Sequence, residues 1–404
     1  MLFRSQFRDY RVDYQNLPMH GRILVIDAIV PELDQASGFV STFSYLQILA
    51  RAGFEVIFAP HDHAPRPAYG RILTHLGVTS AERHLSALKR IGVKLLITPR
   101  WTSIESVVEK VGPTCDLLLL YRAPYASRIF DLARRAAPAA KILFHAVDLH
   151  HLRMEREAKL FGDPVMAEAA STMRETELKL VNQADATIVV SEYESSLLRK
   201  LTPLARVHQI PILREETPIP EGDWANRRDF LFIGTYGHGP NVDAVLWFVR
   251  EVWPKLQAMG YSDSFTIAGS HVTPQINDLA GDRIVVRGYV RDLSPLFRKH
   301  RLSVAPLRYG GGIKGKIVTS LSLGVPVVAT PIAAEGMGLG NEDDVLVADT
   351  ADRMAEQIVR VYNDGDLWRR LSSNGYRTFQ DRFTLAAGAG KVLAVINDLI
   401  GGRP

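Results

Sequence analysis

The sequence predicts an α/β protein with two doubly wound, Rossmann-like domains that face each other across a cleft. Three observations lead to this prediction. Short apolar, β-branched runs alternate with helix-length amphipathic segments along the chain. The runs are almost continuously apolar, as in parallel strands that are buried on both faces. A polar stretch that is rich in Pro and acidic residues interrupts the pattern at 214–228, and the pattern then starts again.

Each half contains enough of these runs for a separate sheet. The expected strands of the first half are 22–27, 54–60, 93–99, 116–121, 141–147, 186–191 and 206–212. Those of the second half are 229–234, 264–269, 283–290, 302–307, 326–331 and 344–349, with helices between them such as 241–257 and 313–323. We therefore predict an N-terminal domain over 1–213, a linker over 214–228 and a C-terminal domain over 229–404. The last helix is expected to pack back on the first domain.

Composition narrows the class of protein. The single cysteine, Cys115, rules out an internal disulfide framework and a cysteine-based zinc site. The N-terminal segment has no apolar core of a secretion signal, and no run approaches the ~20 apolar residues that cross a bilayer. These features favour a cytoplasmic protein.

Positive charge is concentrated in one stretch of the chain. Arg283 to Lys316 holds nine basic residues and one acid, Asp292, whereas the whole chain has a net charge of +4. This stretch is either a solvated face or a surface that attracts a polyanion, a phosphorylated ligand or an acidic membrane. Nucleic acid is disfavoured, because no recognised motif or aromatic stripe accompanies the charge.

The stretch 308–317 has the spacing of a phosphate loop, with Gly310, Gly315 and Lys316 in a G-x-x-x-x-G-K pattern. Ile317 stands where such a loop needs Ser or Thr to hold Mg²⁺, so a triphosphatase is disfavoured. Glycines and a following helix N-terminus still favour phosphate binding. We predict a diphosphate site without a metal, rather than a glycine-rich turn with solvated lysines. Its residues would be Arg308, Gly311, Gly312, Lys314 and Lys316.

Two further strand-to-helix loops are candidates for ligand contacts. The loop 232–241 contains Gly234, Tyr236, Gly237 and His238, but its glycines lack the spacing of a dinucleotide fingerprint. In the first half, Asp34 and Gly38 lie in a loop before a helix. They are either acceptor contacts or part of an ordinary surface loop.

The densest polar cluster follows the fifth strand, in 144–157. His145, Asp148 and His150 are candidate catalytic groups, because histidine near its ordinary pKa suits proton transfer and Asp can orient a hydroxyl. Arg153 is an acceptor-side candidate. Asp148 could also serve only as a helix cap. The histidine spacing matches no zinc pattern, so no metal site is predicted.

Other charged residues nearby are interpreted as helix-surface charges or caps, with a role in the cleft left open for Glu194. They are Arg174, Glu175, Glu177, Glu192 and Glu194.

The stretches "FLFIGTYGHGPNVDAVLWFVREVWPKL" and "RYGGGIKGKIVTSLSLGVPVVATPIAAEGM" resemble bacterial glycosyltransferases of the GT-B fold, most closely the retaining class called family four. "VDLHHLRMERE" and "ADATIVVSEYE" are similar to the first domain of the same group. The resemblance implies a transferase that binds a nucleotide-diphosphate sugar mainly through its second domain, with no cofactor and no divalent metal.

The resemblance also assigns roles to residues. It implies that the loop 234–239 and the basic residues Arg308, Lys314 and Lys316 hold the diphosphate. It places the nucleobase near Gly288, Tyr289 and Val290, and His145 beside the transferred sugar. The acceptor would be a glycan or a lipid-linked acceptor of a cell-surface polysaccharide, with a peripheral contact to an anionic membrane through the basic stretch and the N-terminus.

The sequence departs from this group at two positions. The group carries paired glutamates where this chain has Gly311 and Thr319. We expect Glu335, next to Gly336 and Met337, to supply a replacement carboxylate. The departure leaves two alternatives open, a non-catalytic sugar-nucleotide-binding partner in polysaccharide assembly and a sugar-nucleotide epimerase.

Overall fold

The computed structural model describes residues 20–32, 37–62, 80–219, 223–281 and 283–401. They form two parallel sheets with helices on both faces, which confirms the predicted α/β fold with two Rossmann-like halves. Of the expected site residues, Asp34 lies outside the described residues, as does the basic, aromatic N-terminal segment.

The first sheet has seven parallel strands in the order β3-β2-β1-β4-β5-β6-β7. These strands are β1 (Arg22–Asp27), β2 (Glu55–Pro60), β3 (Lys94–Leu95), β4 (Leu117–Tyr121), β5 (Lys141–His145), β6 (Ala186–Val189) and β7 (Val207–Gln209). The helices around them are α1 (Ser37–Arg51), α2 (Ser80–Arg90), α3 (Ile104–Val111), α4 (Ala123–Ala136), α5 (His150–Phe161), α6 (Pro164–Gln183) and α7 (Glu192–Leu201).

The second sheet has six strands in the order β10-β9-β8-β11-β12-β13. They are β8 (Arg228–Ile233), β9 (Phe265–Ala268), β10 (Ile284–Gly288), β11 (His300–Ala305), β12 (Val327–Ala329) and β13 (Leu346–Val347). The helices are α8 (Gly239–Trp247), α9 (Trp253–Ala258), α10 (Pro274–Asn277), α11 (Ser294–Lys299), α12 (Gly315–Ser322), α13 (Pro331–Ala334), α14 (Ala351–Asn363), α15 (Gly365–Phe383) and α16 (Leu385–Ile400). A π-helical turn, Phe248–Val252, joins α8 to α9.

Every predicted strand is present, and the central strands are buried on both faces of their sheets. In β4, Leu117 and Leu119 belong to one hydrophobic core of the first domain, whereas Leu118 and Leu120 belong to the core on the opposite face. Such a strand must be apolar at every position, since successive side chains point to opposite faces.

The chain passes between the two domains at two adjacent segments. The backbone N–H of Arg214 donates to the carbonyl of Phe383 at 2.8 Å, and the N–H of Leu385 donates to the carbonyl of Arg214 at 2.9 Å. Helix α16 follows this crossing, and its Val392 and Ile396 are fully buried in the core of the first domain. The last helix thus belongs to the first domain structurally, although it follows the second in sequence.

Among the described helices, none combines the length and the apolar composition that crossing a membrane requires.

Candidate functional site

Two glycine-bearing loops lie side by side at the carboxyl edge of the second sheet. The first glycine loop (residues 234–239) follows β8, and the second glycine loop (residues 308–314) follows β11. Strands β8 and β11 are direct neighbours, so the two loops meet where the helices α8 and α12 begin. Loops beyond the carboxyl ends of parallel strands are the usual ligand sites of such sheets.

Lys316 joins the two loops. Its Nζ donates to Oδ1 of Asn241 at 2.7 Å, and Nδ2 of Asn241 donates to the carbonyl of Thr235 at 2.8 Å. The ammonium also lies 5.1 Å from the ring centre of Phe232. A Cβ on Gly234 would come within 2.9 Å of the Asn241 side chain, so this approach requires glycine.

Burial lowers the pKa of Lys316 to about 7, and the positive charge of Lys314 adds to this effect. The hydrogen-bond acceptor of Lys316 is a neutral amide, and no carboxylate among the described residues forms an ion pair with its ammonium. Lys316 is therefore a cation that an incoming anion would stabilise.

Lys314 has a different environment from the one predicted. Its Nζ donates to the carbonyls of Gly311 at 3.1 Å and Gly312 at 2.7 Å, and burial lowers its pKa to about 8. Its ammonium thus closes the second glycine loop on itself. This corrects the expectation that it points to a ligand in the same way as Lys316.

Arg308 is also engaged within the protein. Its guanidinium forms a two-pronged ion pair with Asp243 on α8, through Nε at 3.0 Å and through Nη2. The positive charge of Arg308, which was expected to bind the diphosphate, is therefore largely compensated by the carboxylate of Asp243. Phe161, at the end of α5 in the first domain, lies 5.8 Å from this guanidinium and packs edge-on against Tyr309.

Part of the excess charge predicted for the stretch from Arg283 to Lys316 is neutralised by a second ion pair, between Lys299 and Asp229 at 2.8 Å. The guanidinium of Arg301 instead stacks on the ring of Trp224, which leaves its charge uncompensated by any carboxylate of the described residues.

The first domain contributes a polar cluster at the start of α5. Asp148 accepts a hydrogen bond from Nε of Arg153 at 3.2 Å and lies 3.8 Å from Nδ1 of His150. Burial opposes ionisation of Asp148, but His150, Arg153 and His238 hold its pKa below the usual range. Burial and the charge of Arg153 lower the pKa of His238 to about 4. His238 belongs to the first glycine loop, so the structure brings Asp148, His150, Arg153 and His238 together across the cleft.

His145 does not have the environment that was predicted for it. It is fully buried, stacked on Tyr121 with ring centres 4.6 Å apart and packed edge-on against Tyr45. Its Nδ1 accepts the N–H of Val147 at 3.1 Å. Burial and the nearby charge of Arg122 lower its pKa to about 3, so His145 is neutral at physiological pH. The expectation of proton transfer near neutrality is therefore wrong for this residue.

Two acidic residues that were interpreted as surface charges or caps are fully enclosed. Glu177 is 0% exposed and accepts hydrogen bonds from the start of α5. Glu194 is 1% exposed, and its Oε1 accepts from the N–H of Leu149 at 2.8 Å and from the N–H of Gly312 at 2.9 Å. The Ser191-x-x-Glu194 spacing is a capping signature, and Ser191 does cap α7, but this spacing does not indicate the contact with Gly312.

Arg156 forms a second bridge between the domains. Its Nη1 donates to the carbonyl of Gly310 at 2.8 Å, and its guanidinium forms an ion pair with Glu335, with contacts of 2.8 and 2.9 Å. The proposed replacement carboxylate is thus bound to an arginine of the first domain. Next to it, the carbonyl of Gly336 accepts the N–H of Glu192 at 3.1 Å.

The positions that lack the paired glutamates are filled in other ways. Gly311 and Gly312 pack against the turn before α5, where a Cβ on Gly312 would lie 3.0 Å from Cβ of Asp148. The hydroxyl of Thr319 donates to the carbonyl of Gly315 at 2.9 Å inside α12. Met337 is 2% exposed and belongs to the core of the second domain, so the expectation of a donor contact is wrong for its side chain.

The segment expected near a nucleobase lies at the edge strand β10. Gly288 ends this strand with φ of 65°, Tyr289 is 41% exposed, and Val290 packs against the small apolar cluster that contains Phe297. Strand β9 separates β10 from β8, which places this segment about 10 Å from the first glycine loop.

Gly38 lies in the first turn of α1, where a Cβ would come within 2.8 Å of Nη2 of Arg122. Arg122 follows β4 and forms an ion pair of 2.8 Å with the buried Asp27. Sequence reasoning missed Arg122, although a charged residue directly after the apolar run 117–121 is a signal of such a position. Tyr236, in the first glycine loop, is buried.

The described residues contain no group of three or more His, Cys, Asp or Glu side chains that could hold a metal ion.

Residues 227–364 match the family described as "Glycosyl transferases group 1". The chain is also 20% identical, over 162 residues, to an uncharacterized 44.6 kDa protein in the cps region of Klebsiella pneumoniae. That match covers 38% of this chain and 42% of the relative, so the chain spans less than half the length of the curated relative.

Solved structures show the same two-domain fold over nearly the whole chain. Sucrose-phosphate synthase from Thermosynechococcus elongatus is 16% identical with a TM-score of 0.71, covering 95% of this chain and 100% of that one. HepE of Anabaena in complex with UDP-glucose is 13% identical with a TM-score of 0.68 and coverages of 94% and 100%. A glycosyltransferase from Rickettsia africae is 13% identical with a TM-score of 0.64 and coverages of 95% and 99%. These findings confirm the resemblance to glycosyltransferases of the GT-B fold, and the family match lies in the second domain.

Proposed function

We propose, from the group 1 glycosyltransferase domain and the site around it, that the protein transfers a sugar from a nucleotide-diphosphate sugar to a glycan or lipid-linked acceptor. The observation that carries the proposal is the junction of the two glycine loops by Lys316 and Asn241. Helices α8 and α12 begin at this junction, and helix N-termini supply free N–H groups and a positive dipole end for phosphate.

Lys316 supplies the charge for the leaving group. A diphosphate at the junction would favour the protonated lysine, whose pKa is lowered to about 7 by burial in the ligand-free protein. An ammonium in place before the reaction stabilises the negative charge that develops on the leaving diphosphate. Arg308 and Lys314 maintain the shape of the loops, through Asp243 and through the carbonyls of Gly311 and Gly312.

We propose that the transfer needs neither a divalent metal nor a cofactor. Two residues support this proposal. The ammonium of Lys316 can neutralise the diphosphate in place of a metal ion, and Ile317 is fully buried in the core and offers no hydroxyl to hold Mg²⁺. Activity in excess EDTA should equal activity with added Mg²⁺. A loss of activity that Mg²⁺ or Mn²⁺ restores would contradict metal independence.

We propose that the transfer retains the configuration of the sugar and passes through no covalent protein intermediate. The ionised Asp148 faces the second glycine loop, but Arg153 holds one of its oxygens and His150 lies beside the other, so it is not a free nucleophile. Proton NMR of the product formed in the first minutes of reaction gives the anomeric configuration. An inverted product would contradict this part of the proposal.

The acceptor is proposed from the comparisons. The relative in the cps region of Klebsiella pneumoniae supports a role in polysaccharide biosynthesis. A peripheral contact with an anionic membrane on the cytoplasmic face is proposed from the sequence alone, and co-sedimentation with anionic and neutral vesicles tests it. Nucleic acid is not proposed as a partner.

The direct test is a panel of nucleotide sugars, with the release of nucleoside diphosphate as the readout. We expect one donor to be turned over, and Lys316→Met to reduce turnover at least about tenfold. Lys391→Met is the matched control, because Lys391 is an exposed lysine on α16, the helix that packs on the first domain. Equal activity of the two variants would contradict the role of Lys316.

The absence of carboxylates at Gly311 and Thr319 favours one second candidate, a sugar-nucleotide-binding partner without catalysis. Binding of a donor without turnover in the presence of candidate acceptors would establish that function. An altered sugar that remains attached to the nucleotide would instead identify an epimerase.

A further inference from the structure

Glu177 lies in the C-terminal half of α6, is fully enclosed and binds the beginning of α5. Its Oε1 accepts the N–H of His150 at 2.8 Å, and its Oε2 accepts the N–H of His151 at 3.0 Å. The ring Nδ1 of His151 lies 2.5 Å from the same Oε2. Leu149, the residue before the helix, has no side chain that can accept a hydrogen bond, so the carboxylate of Glu177 caps the N-terminus of α5 instead.

The same carboxylate determines the environment of the His150 ring. Nδ1 of His150 lies 3.2 Å from the carbonyl of Asp148, 3.5 Å from Oε1 of Glu177 and 3.8 Å from Oδ1 of Asp148. Three oxygens on this side of the ring require a proton on Nδ1. The opposite nitrogen, Nε2, has no hydrogen-bond partner among the described residues.

Titratable groups from four elements face this ring. They are Asp148 in the preceding turn, Glu177 on α6, Arg153 on α5 and His238 across the cleft. Burial opposes the charged form of the ring, but the two carboxylates outweigh burial and Arg153, and the pKa of His150 is raised. The ring therefore favours the imidazolium form and lies opposite the first glycine loop, to which His238 belongs.

We propose that Glu177 is a positioning residue for the sugar transfer inferred above: it holds the His150 ring protonated, with Nε2–H directed to the leaving diphosphate. The proposal rests on the proposed function for its substrate. No proton needs to be transferred, since an N–H donor with full positive charge binds a phosphate oxygen strongly. His150 touches the substrate, and Glu177 acts through His150.

A helix cap alone would produce the same backbone hydrogen bonds, so the test must read the charge of the His150 ring. We would label the histidines with ¹⁵N and follow the ring signals against pH, with His150→Gln to assign them. The expected result for the intact protein is an imidazolium at pH 6.5, the ordinary pKa of histidine, where His150 is more than half protonated. A ring that is mostly neutral at this pH would overturn the proposal without any variant.

Glu177→Gln should lower the pKa of His150, because the amide removes one of the two negative charges near the ring. The matched control is Glu175→Gln, which removes an exposed carboxylate two residues away on the same helix. The control should leave the titration of His150 unchanged. Equal shifts in both variants, or none in a folded Glu177→Gln, would overturn the proposal.

The kinetic signature follows from the sign of the shift. If the imidazolium is required, kcat declines as pH rises through the pKa of His150, and Glu177→Gln moves this decline to lower pH. The variant should match the intact protein at low pH. On the alkaline side it should be slower, by about tenfold for each unit that the pKa falls. A uniform loss at every pH would indicate a cap only and would overturn the positioning role.

Failure of the two proposals can be told apart. If no nucleotide sugar is turned over, the proposed function fails, while the ring titration still reports whether Glu177 sets the charge of His150. If turnover is found but the pH profile is insensitive to Glu177→Gln, only the positioning role fails.

Discussion

Glu194 in the first domain accepts a hydrogen bond of 2.9 Å from the backbone N–H of Gly312 in the second glycine loop. The same oxygen accepts the N–H of Leu149, so one carboxylate oxygen joins the turn before α5 to the loop that we propose to hold the diphosphate. Burial raises the pKa of Glu194. The domain closure seen here is thus built partly on a single enclosed carboxylate.

Glu194→Ala should weaken domain closure. Removal of the acceptor leaves the N–H groups of Leu149 and Gly312 without partners in a buried place, at a cost of about 1–3 kcal/mol each. We expect a larger radius of gyration in X-ray scattering of the ligand-free protein and a lower kcat. Glu194→Gln keeps an acceptor oxygen and serves as the control with a smaller effect. Unchanged scattering and kcat in Glu194→Ala would show that this contact does not hold the domains.

Binding of the nucleoside diphosphate should depend on pH through Lys316. The ammonium binds phosphate only when protonated, and its pKa in the free protein is lowered to about 7. Affinity should therefore be greatest below pH 7 and fall as pH rises above it, with proton uptake on binding between pH 7 and 8. Calorimetry in buffers of different ionisation enthalpy measures this uptake.

Lys316→Met should abolish the proton uptake and reduce affinity by about 10- to 100-fold. Lys391→Met should retain both the affinity and the uptake. Uptake that persists in Lys316→Met would assign the titration to another group.

Glu335→Ala should weaken donor binding, and the ion pair with Arg156 allows two causes to be separated. A carboxylate that contacts the donor directly would matter even when Arg156 is absent. A carboxylate that acts only through its ion pair with Arg156 would have no further effect once Arg156 is absent. Calorimetry on Glu335→Ala, Arg156→Ala and the double variant gives the coupling between them.

We expect each single change to reduce donor affinity by about five- to tenfold and the double variant to be no worse than Arg156→Ala, because both residues serve one bridge. Unchanged affinity in Glu335→Ala would remove this residue from the donor site. If the losses of affinity add up in the double variant, Glu335 contacts the donor directly.

The sequence predicted the parts of the site that depend on the order of strands and loops. Runs such as 117–121 are apolar at every position, which fixes buried parallel strands, and the carboxyl ends of parallel strands share one edge. The meeting of the two glycine loops at Lys316 follows from this arrangement. The buried face of α12 likewise explains Ile317.

The state of individual side chains could not be predicted, because it depends on residues from distant elements. The ion pair of Arg308 requires Asp243 on α8, and the enclosure of Glu177 requires α6 to pack on α5. Helical periodicity does not distinguish a solvated glutamate from one that faces another helix end. Three-dimensional packing also decides the protonation state of His145.

His145 should contribute to acid sensitivity rather than to proton transfer. Its pKa is lowered to about 3 in the folded protein by burial and by Arg122, whereas an unfolded histidine titrates near 6.5. The unfolded chain therefore binds an extra proton between these values, so stability is retained above pH 6.5 and is lost as pH falls towards 3. The loss from this group amounts to at most roughly 5 kcal/mol.

His145→Phe tests this directly, since phenylalanine keeps the ring between Tyr45 and Tyr121 but does not titrate. The variant loses the acceptor for the N–H of Val147, so we expect a decrease in unfolding free energy of about 1–3 kcal/mol at pH 7. Urea unfolding between pH 7 and 4 should show a slope that is smaller by about one proton than that of the intact protein. Around neutral pH, the dependence of kcat on pH should be the same in His145→Phe as in the intact protein. A histidine that is already neutral cannot cause a change in kcat near pH 7. If such a change in the intact protein disappeared in His145→Phe, His145 would take part in proton transfer after all.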